Sequence, residues 1–335
     1  MKQQATGFPT DFGRYSAGQE KKALRWEANR LCVVLIAIQA LVAILSVLSR
    51  LYLRQLNLMG YSLDAFQGIP PILYFLSYAS VYLVGLTLPV FFYWGIRHIS
   101  PVRALRFEPV RPATVFWMVL FGVGICTTAN IPSNMVVTFF KSMGYSGKVP
   151  DLPLNEDPFV QALFFVTLAI IPPITEELIF RGAILSGLRQ FGDAAAIFGS
   201  AFLFALYHGN FAQMVFAFPC GLVLAFVVIK TGNLWVSILI HFINNGTSVL
   251  FQLSQFYTNE ATASAAYTVY FISSALAGVG ALIFLSRRDK NLFRLDDHNS
   301  VLTTAQKFVT TLWNPGAVAL ILLSLVSAVY VLETY

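Results

Sequence analysis

Nine stretches of this 335-residue chain are apolar over about the length a helix needs to cross a bilayer, roughly 20 residues. The first runs from Leu31 to about Leu48; the others cover 70–96, 113–140, 158–180, 194–210, 212–230, 233–253, 267–286 and 315–334, the fifth being the shortest. Inside lipid, backbone N–H and C=O groups find no water, so each stretch must satisfy its own hydrogen bonds as a helix. The expected fold is therefore an all-α, polytopic transmembrane bundle of about eight to nine spans. Charge agrees with this, since only 11% of residues are charged against roughly 25% in a soluble domain.

The formal net charge of +6 could suggest a nucleic-acid partner, but its distribution excludes that reading. Eighteen of the 22 lysines and arginines fall in segments 2–30, 97–111, 181–189, 230 and 287–307. The alternate connectors hold only Arg50, Arg54, Lys141 and Lys148. Such a bias places the basic side, and with it the N-terminus, in the cytoplasm. The chain then divides into a basic cytoplasmic segment (1–30) that could lie on the membrane surface, helices and a loop over 31–157, a central helical core over 158–253, and further helices over 254–335. The 31–48 stretch lacks the pattern of a cleaved signal peptide and reads as a retained span. Cys32, Cys126 and Cys220 all lie in apolar runs without paired spacing and read as small core residues. His98 and His298 sit in polar connectors and read as solvated.

Against this background the segment "TEELIFRG", residues 175–182, stands out. A charge at the centre of a membrane helix costs about 2.5–3.5 kcal/mol, so Glu176, Glu177 and Arg181 need partners. Glu177 and Arg181 are four residues apart, acid first, the favourable order for a helical ion pair. Glu176 points about 100° away and is left free. Pro172 and Pro173 should kink the helix just before it and admit water. Counted from Pro158, Glu176 lies about 27 Å down its span, so the site is expected to open to the cytoplasm.

Two further motifs bring polar groups to similar depth: "FALYH" ends in His208, and "HFINN" puts His241 and Asn245 on one helical face. A carboxylate, two imidazoles and a carboxamide suit amide hydrolysis, with the carboxylate as general base on water and a His/Asn pair donating to the oxyanion. The same Glu176, His208 and His241 also suit a zinc site with an open position, and spacing does not separate the two. Neither an HExxH nor a GxGD signature is present.

In order and on successive helices, "EELIFR", "FALYH" and "HFINN" fit the patterns EExxxR, FxxxH and HxxxN. The chain thereby resembles the CAAX protease and bacteriocin-processing family of intramembrane proteases, related to the endopeptidase that trims prenylated CaaX tails. The resemblance covers about residues 158–250. It implies that Glu176 activates water with help from His208, that His241 and Asn245 form the oxyanion hole, and that Glu177 and Arg181 orient the site. No cofactor is then expected to be required, with zinc as the alternative. The substrate implied is a membrane-associated peptide or protein cut in the bilayer, in the cell membrane of a prokaryote. Two readings from other classes stand beside this one: a proton-coupled transporter using the Glu/His set as a relay, and a non-catalytic immunity or scaffold protein.

Overall fold

The computed structural model describes residues 16–58, 69–147, 152–297 and 300–334. Residues 1–15 of the basic N-terminal segment, Lys148 and His298 lie outside them. Besides a single helical turn at Pro101–Ala104, ten longer helices organise the described residues: α1 (Ala17–Leu58), α2 (Pro71–Ile96), α3 (Pro112–Ser142), α4 (Pro158–Arg189), α5 (Asp193–Tyr207), α6 (Phe211–Thr231), α7 (Leu234–Ser254), α8 (Glu260–Arg288), α9 (Thr304–Leu312) and α10 (Pro315–Tyr330). The all-α, polytopic bundle expected from the sequence is the fold observed. Among the described residues seven helices are long and apolar enough to cross a membrane, or eight if the bent pair α9 and α10 counts as one.

Helix boundaries follow local chemistry. Proline opens α2, α3, α4 and α10, where its missing N–H costs nothing. Asn210, Asn233, Asn259 and Asn314 cap α6, α7, α8 and α10 through their side-chain oxygens, and Thr303 with Gln306 forms a capping box on α9. Between α6 and α7 the chain reverses at Gly232, whose φ of 65° suits glycine and ends the helix.

Three spans differ from the sequence reading. Residues 17–30 of the basic segment do not form a separate surface helix: from Ala17 onward the helix continues without a break into the first span. The fifth stretch is a helix of 15 residues, about 22 Å, too short to cross a core of about 30 Å. The last stretch is helical only to Tyr330 and meets α9 at 68°; beyond it Leu332–Thr334 (β2) pairs antiparallel with Tyr145–Gly147 (β1).

The two ends of the bundle are built differently. At the basic end the connectors are stitched together. Leu234 N–H donates to the Arg106 carbonyl (2.8 Å), Glu108 N–H to that of Gly232 (3.0 Å), and the Asn233 side chain to that of Glu108 (2.7 Å). The Lys230 ammonium donates to the Arg294 carbonyl (2.7 Å), Lys307 pairs with Asp297 (2.5 Å), and the Glu27 carboxylate gathers Arg97 (3.5 Å), Arg30 (3.3 Å) and the Tyr93 hydroxyl. Below this layer a core from α1, α2, α4, α5, α6 and α10 is packed solid around Leu31, Trp94, Phe180, Leu188 and Phe191. On the other flank α3 and α8 touch backbone to backbone: a Cβ added to Gly124 would lie 2.6 Å from the Gly278 Cα.

Candidate active site

Helix α4 carries the two glutamates on an irregular backbone. Its α-helical turn Ile171–Glu177 lies between two π-helical stretches, Val166–Ile170 and Leu178–Leu185. Such wide turns let a helix pass a pair of prolines without breaking, and they recur at functional sites. In the first stretch the Ile171 N–H reaches the Val166 carbonyl, five residues back. In that register the Leu168 carbonyl would wait for the N–H of residue 173, a proline. Asn245 fills the vacancy by donating its Nδ2 to Leu168 O at 3.3 Å. The Thr175 hydroxyl likewise covers the carbonyls of Ile171 (2.9 Å) and Pro172 (3.3 Å). A motif residue thus repairs a helix elsewhere, and Pro158–Arg189 runs through the two prolines as one span.

Glu177 and Arg181 form the expected pair, fully buried, with Nη1 donating to Oε1 at 2.7 Å. Three further contacts hold this pair. Arg181 Nη2 donates to the Gly221 carbonyl (3.2 Å), its guanidinium lies 4.8 Å over the Phe204 ring, and the Ser237 hydroxyl donates to Glu177 Oε2. His241 completes the cluster with Nδ1 at 3.0 Å from Glu177 Oε1. A carboxylate accepts only, so Nδ1 carries the proton and Nε2 is directed elsewhere.

That direction is Glu176. His241 Nε2 lies 3.8 Å from Glu176 Oε2, beyond hydrogen-bond length, while Glu176 Oε1 accepts from the Tyr82 hydroxyl at 3.0 Å. Glu176 is therefore free of Arg181, as the helical spacing required, but it is not unpartnered. His208 ends α5, its Nδ1 bonded to the Phe204 carbonyl at 2.8 Å and its ring edge-on to Phe204, with centroids 4.8 Å apart. A carbonyl only accepts, so His208 also carries its proton on Nδ1, and Nε2 of the neutral ring is an acceptor. Asn245 accepts from Asn244 (3.2 Å) and keeps one N–H beyond the bond to Leu168.

Glu176, His208, His241 and Asn245 all line one cavity of about 960 Å³. Glu177 and Arg181 do not; they form the wall behind it. The cavity follows α6 from Gln213 and α7 back from Gln252, and reaches Tyr267 and Tyr270 of α8. None of its lining comes from the stitched basic end, where residues beyond Glu176 on α4 belong to the solid core. The opening toward the basic side expected from the depth of Glu176 is therefore corrected: counting residues gave the depth but not which side is plugged.

Ser237, Tyr82 and Phe204 were missed as site residues. Ser237, His241 and Asn245 recur every four residues and share one face of α7, a signal that was legible. Tyr74, Tyr78 and Tyr82 form a similar stripe on α2, with Tyr78 stacked on Tyr82 at 5.6 Å, but nothing in their spacing links them to α4. Among the described residues no group of three His, Cys, Asp or Glu side chains is disposed to hold a metal ion, so Glu176, His208 and His241 share a cavity without forming a ligand set as they stand.

Residues 158–247 match the family described as Type II CAAX prenyl endopeptidase Rce1-like, which bears out the resemblance read from the three motifs. Two curated proteins are similar. The membrane-embedded CAAX protease MroQ of Staphylococcus aureus (strain USA300) is 30% identical over 131 residues, 36% of this chain and 53% of that protein. The putative membrane peptidase YdiL of Bacillus subtilis (strain 168) is 31% identical over 94 residues, 27% of this chain and 38% of that protein. The similarity thus spans about half the length of the first relative and less of the second. No solved structure matches.

Proposed function

We propose that this chain, whose central helices match the CAAX prenyl endopeptidase type, is an intramembrane endopeptidase that hydrolyses a peptide bond of a membrane-associated protein or peptide. One observation supports the reading above all: two adjacent glutamates have opposite fates, Glu177 locked against Arg181, Ser237 and His241, and Glu176 held at the cavity wall by a single tyrosine.

In the proposed reaction Glu176 takes a proton from water as the oxygen attacks the scissile carbonyl, with His208 Nε2 accepting a hydrogen bond from that water. The charge that develops on the carbonyl oxygen is met by the remaining Asn245 N–H and by His241 Nε2. Since His241 Nδ1 donates to Glu177, Nε2 donates only when the ring holds its second proton. Collapse breaks the C–N bond, and the proton held by Glu176 passes to the departing amine. Products are a carboxylate and an amine, and Glu176 is regenerated. Arg181, Glu177 and Ser237 act through His241 and are positioning residues.

The test is cleavage of candidate membrane peptides by purified protein and by Glu176→Gln, with metal content measured on the same samples. Loss of cleavage in a folded Glu176→Gln variant is expected. Retained cleavage refutes the role of Glu176, and stoichiometric zinc whose removal stops turnover replaces the water mechanism with a metal-based one.

A further inference from the structure

The cavity holds more polar chemistry than hydrolysis uses. Six carboxamide side chains line it: Gln39, Asn130, Gln213, Asn244, Asn245 and Gln252, from four helices. Gln39, Asn130 and Gln252 lie outside the residues matched to the family. Several of their polar atoms are idle. Gln39 Oε1 is buried without a hydrogen-bond partner, Asn130 spends only Nδ2, on the Thr127 and Cys126 carbonyls, and among the described residues the Gln213 and Gln252 side chains hold no hydrogen bond. A buried amide oxygen left unpaired inside a membrane bundle, as at Gln39, is costly, and the cavity offers its carboxamides to an occupant that pairs with them.

Charge narrows the occupant. Glu176 is the single Asp, Glu, Lys or Arg in the lining, leaving no fixed cation to balance an acidic side chain. A carboxamide offers one donor face and one acceptor, the complement of a peptide group; an isoprenoid chain offers neither. From His241 to Gln252 is about 16 Å along α7, room for about five residues of extended polypeptide.

Position gives the direction of access. Gln213 and Gln252 are third from the ends of α6 and α7 that lie opposite the basic connectors, and both are exposed. Described cations at that opposite end are confined to Arg50, Arg54 and Lys141, so by the positive-inside bias it faces away from the cytoplasm. Resting on the protease reading, we infer that the substrate is an extended stretch of polypeptide free of acidic side chains that enters from the non-cytoplasmic face and is gripped through its backbone by the carboxamides.

Cysteine labelling tests this without depending on catalysis. Gln213→Cys, Gln252→Cys and, at the basic end, Arg103→Cys are treated in intact cells with a membrane-impermeant maleimide, wild type with its three native cysteines being the blank. The two cavity-mouth variants are expected to react in intact cells and Arg103→Cys only after permeabilisation; the inverse pattern overturns the direction of access. With purified protein, a peptide of alanine, serine and leucine should protect Gln252→Cys from the maleimide, and the same peptide with a central aspartate should do so at least about tenfold less potently, given the cost of an unbalanced charge in such a site. Equal protection by both, or by neither, overturns the substrate class. An intact labelling and protection pattern in a protein that cleaves nothing sinks the protease reading and leaves this one standing; robust cleavage with inverted labelling does the reverse.

Discussion

Replacing Arg181 by alanine removes a guanidinium that is 1% exposed and leaves the Glu177 carboxylate, fully buried, without its countercharge. With the guanidinium go the 2.7 Å bond to Glu177, the 3.2 Å bond to the Gly221 carbonyl and the stacking over Phe204 at 4.8 Å. Breaking a buried pair from one side costs about 3–5 kcal/mol, because the surviving charge keeps its desolvation penalty. That is a large share of the roughly 5–15 kcal/mol that holds a typical domain folded. Glu177 also anchors His241, so activity should fall along with stability. Denaturant unfolding of purified protein in detergent reads the first and peptide cleavage the second. The decisive variant is Arg181→Met combined with Glu177→Gln. It removes both charges, so it should recover most of the lost stability while activity stays low, since His241 Nδ1 no longer has a charged anchor. An Arg181→Ala protein as stable and active as wild type would refute the pairing argument, and a double variant no better than the single would refute its electrostatic origin.

Tyr82→Phe removes one hydrogen bond to a charged group, about 1.5–3 kcal/mol, so kcat should drop roughly 10- to 100-fold with KM little changed; an unaltered kcat removes Tyr82 from the positioning of Glu176. Gly124→Val should push α3 from α8 and lower stability by about 1–3 kcal/mol as overpacking does, read as a shift in the unfolding midpoint, whereas Gly280→Ala, with open space around its Cβ, should be neutral. Gly232→Ala forces a side chain into a left-handed turn and should cost about 1–2 kcal/mol, a loss that Gly232→Asn should partly spare when the two are compared by denaturant unfolding.

Much of the site was legible because membrane burial makes local spacing informative. Glu177 and Arg181 had to pair, and their four-residue separation allowed it without knowledge of the fold. His241 and Asn245 declared a shared face in the same way. What could not be read was any relation between helices distant in sequence. Tyr82 reaches Glu176 across 94 residues, and Ser237 gives no hint of Glu177 until α7 is laid against α4. Helix counting was sound where apolar runs are long and failed where length alone decides, as in α5. Depth, obtained from rise per residue, placed Glu176 well along its span, yet the direction of opening depended on the solid packing around Phe180, Leu188 and Phe191, which no linear count contains.

The bond between Asn245 and the Leu168 carbonyl has a consequence for how this sequence can vary. The amide is needed there because Pro173 supplies no N–H, so the two positions form an epistatic pair. A chain that keeps the proline and loses the amide is left with an unmet carbonyl, whereas a chain that first gains an alanine at 173 is released from that need. Pro173→Ala should therefore rescue the folding, though not the cleavage, of Asn245→Leu. The order in which the two changes arise would decide which lineages remain viable on the way.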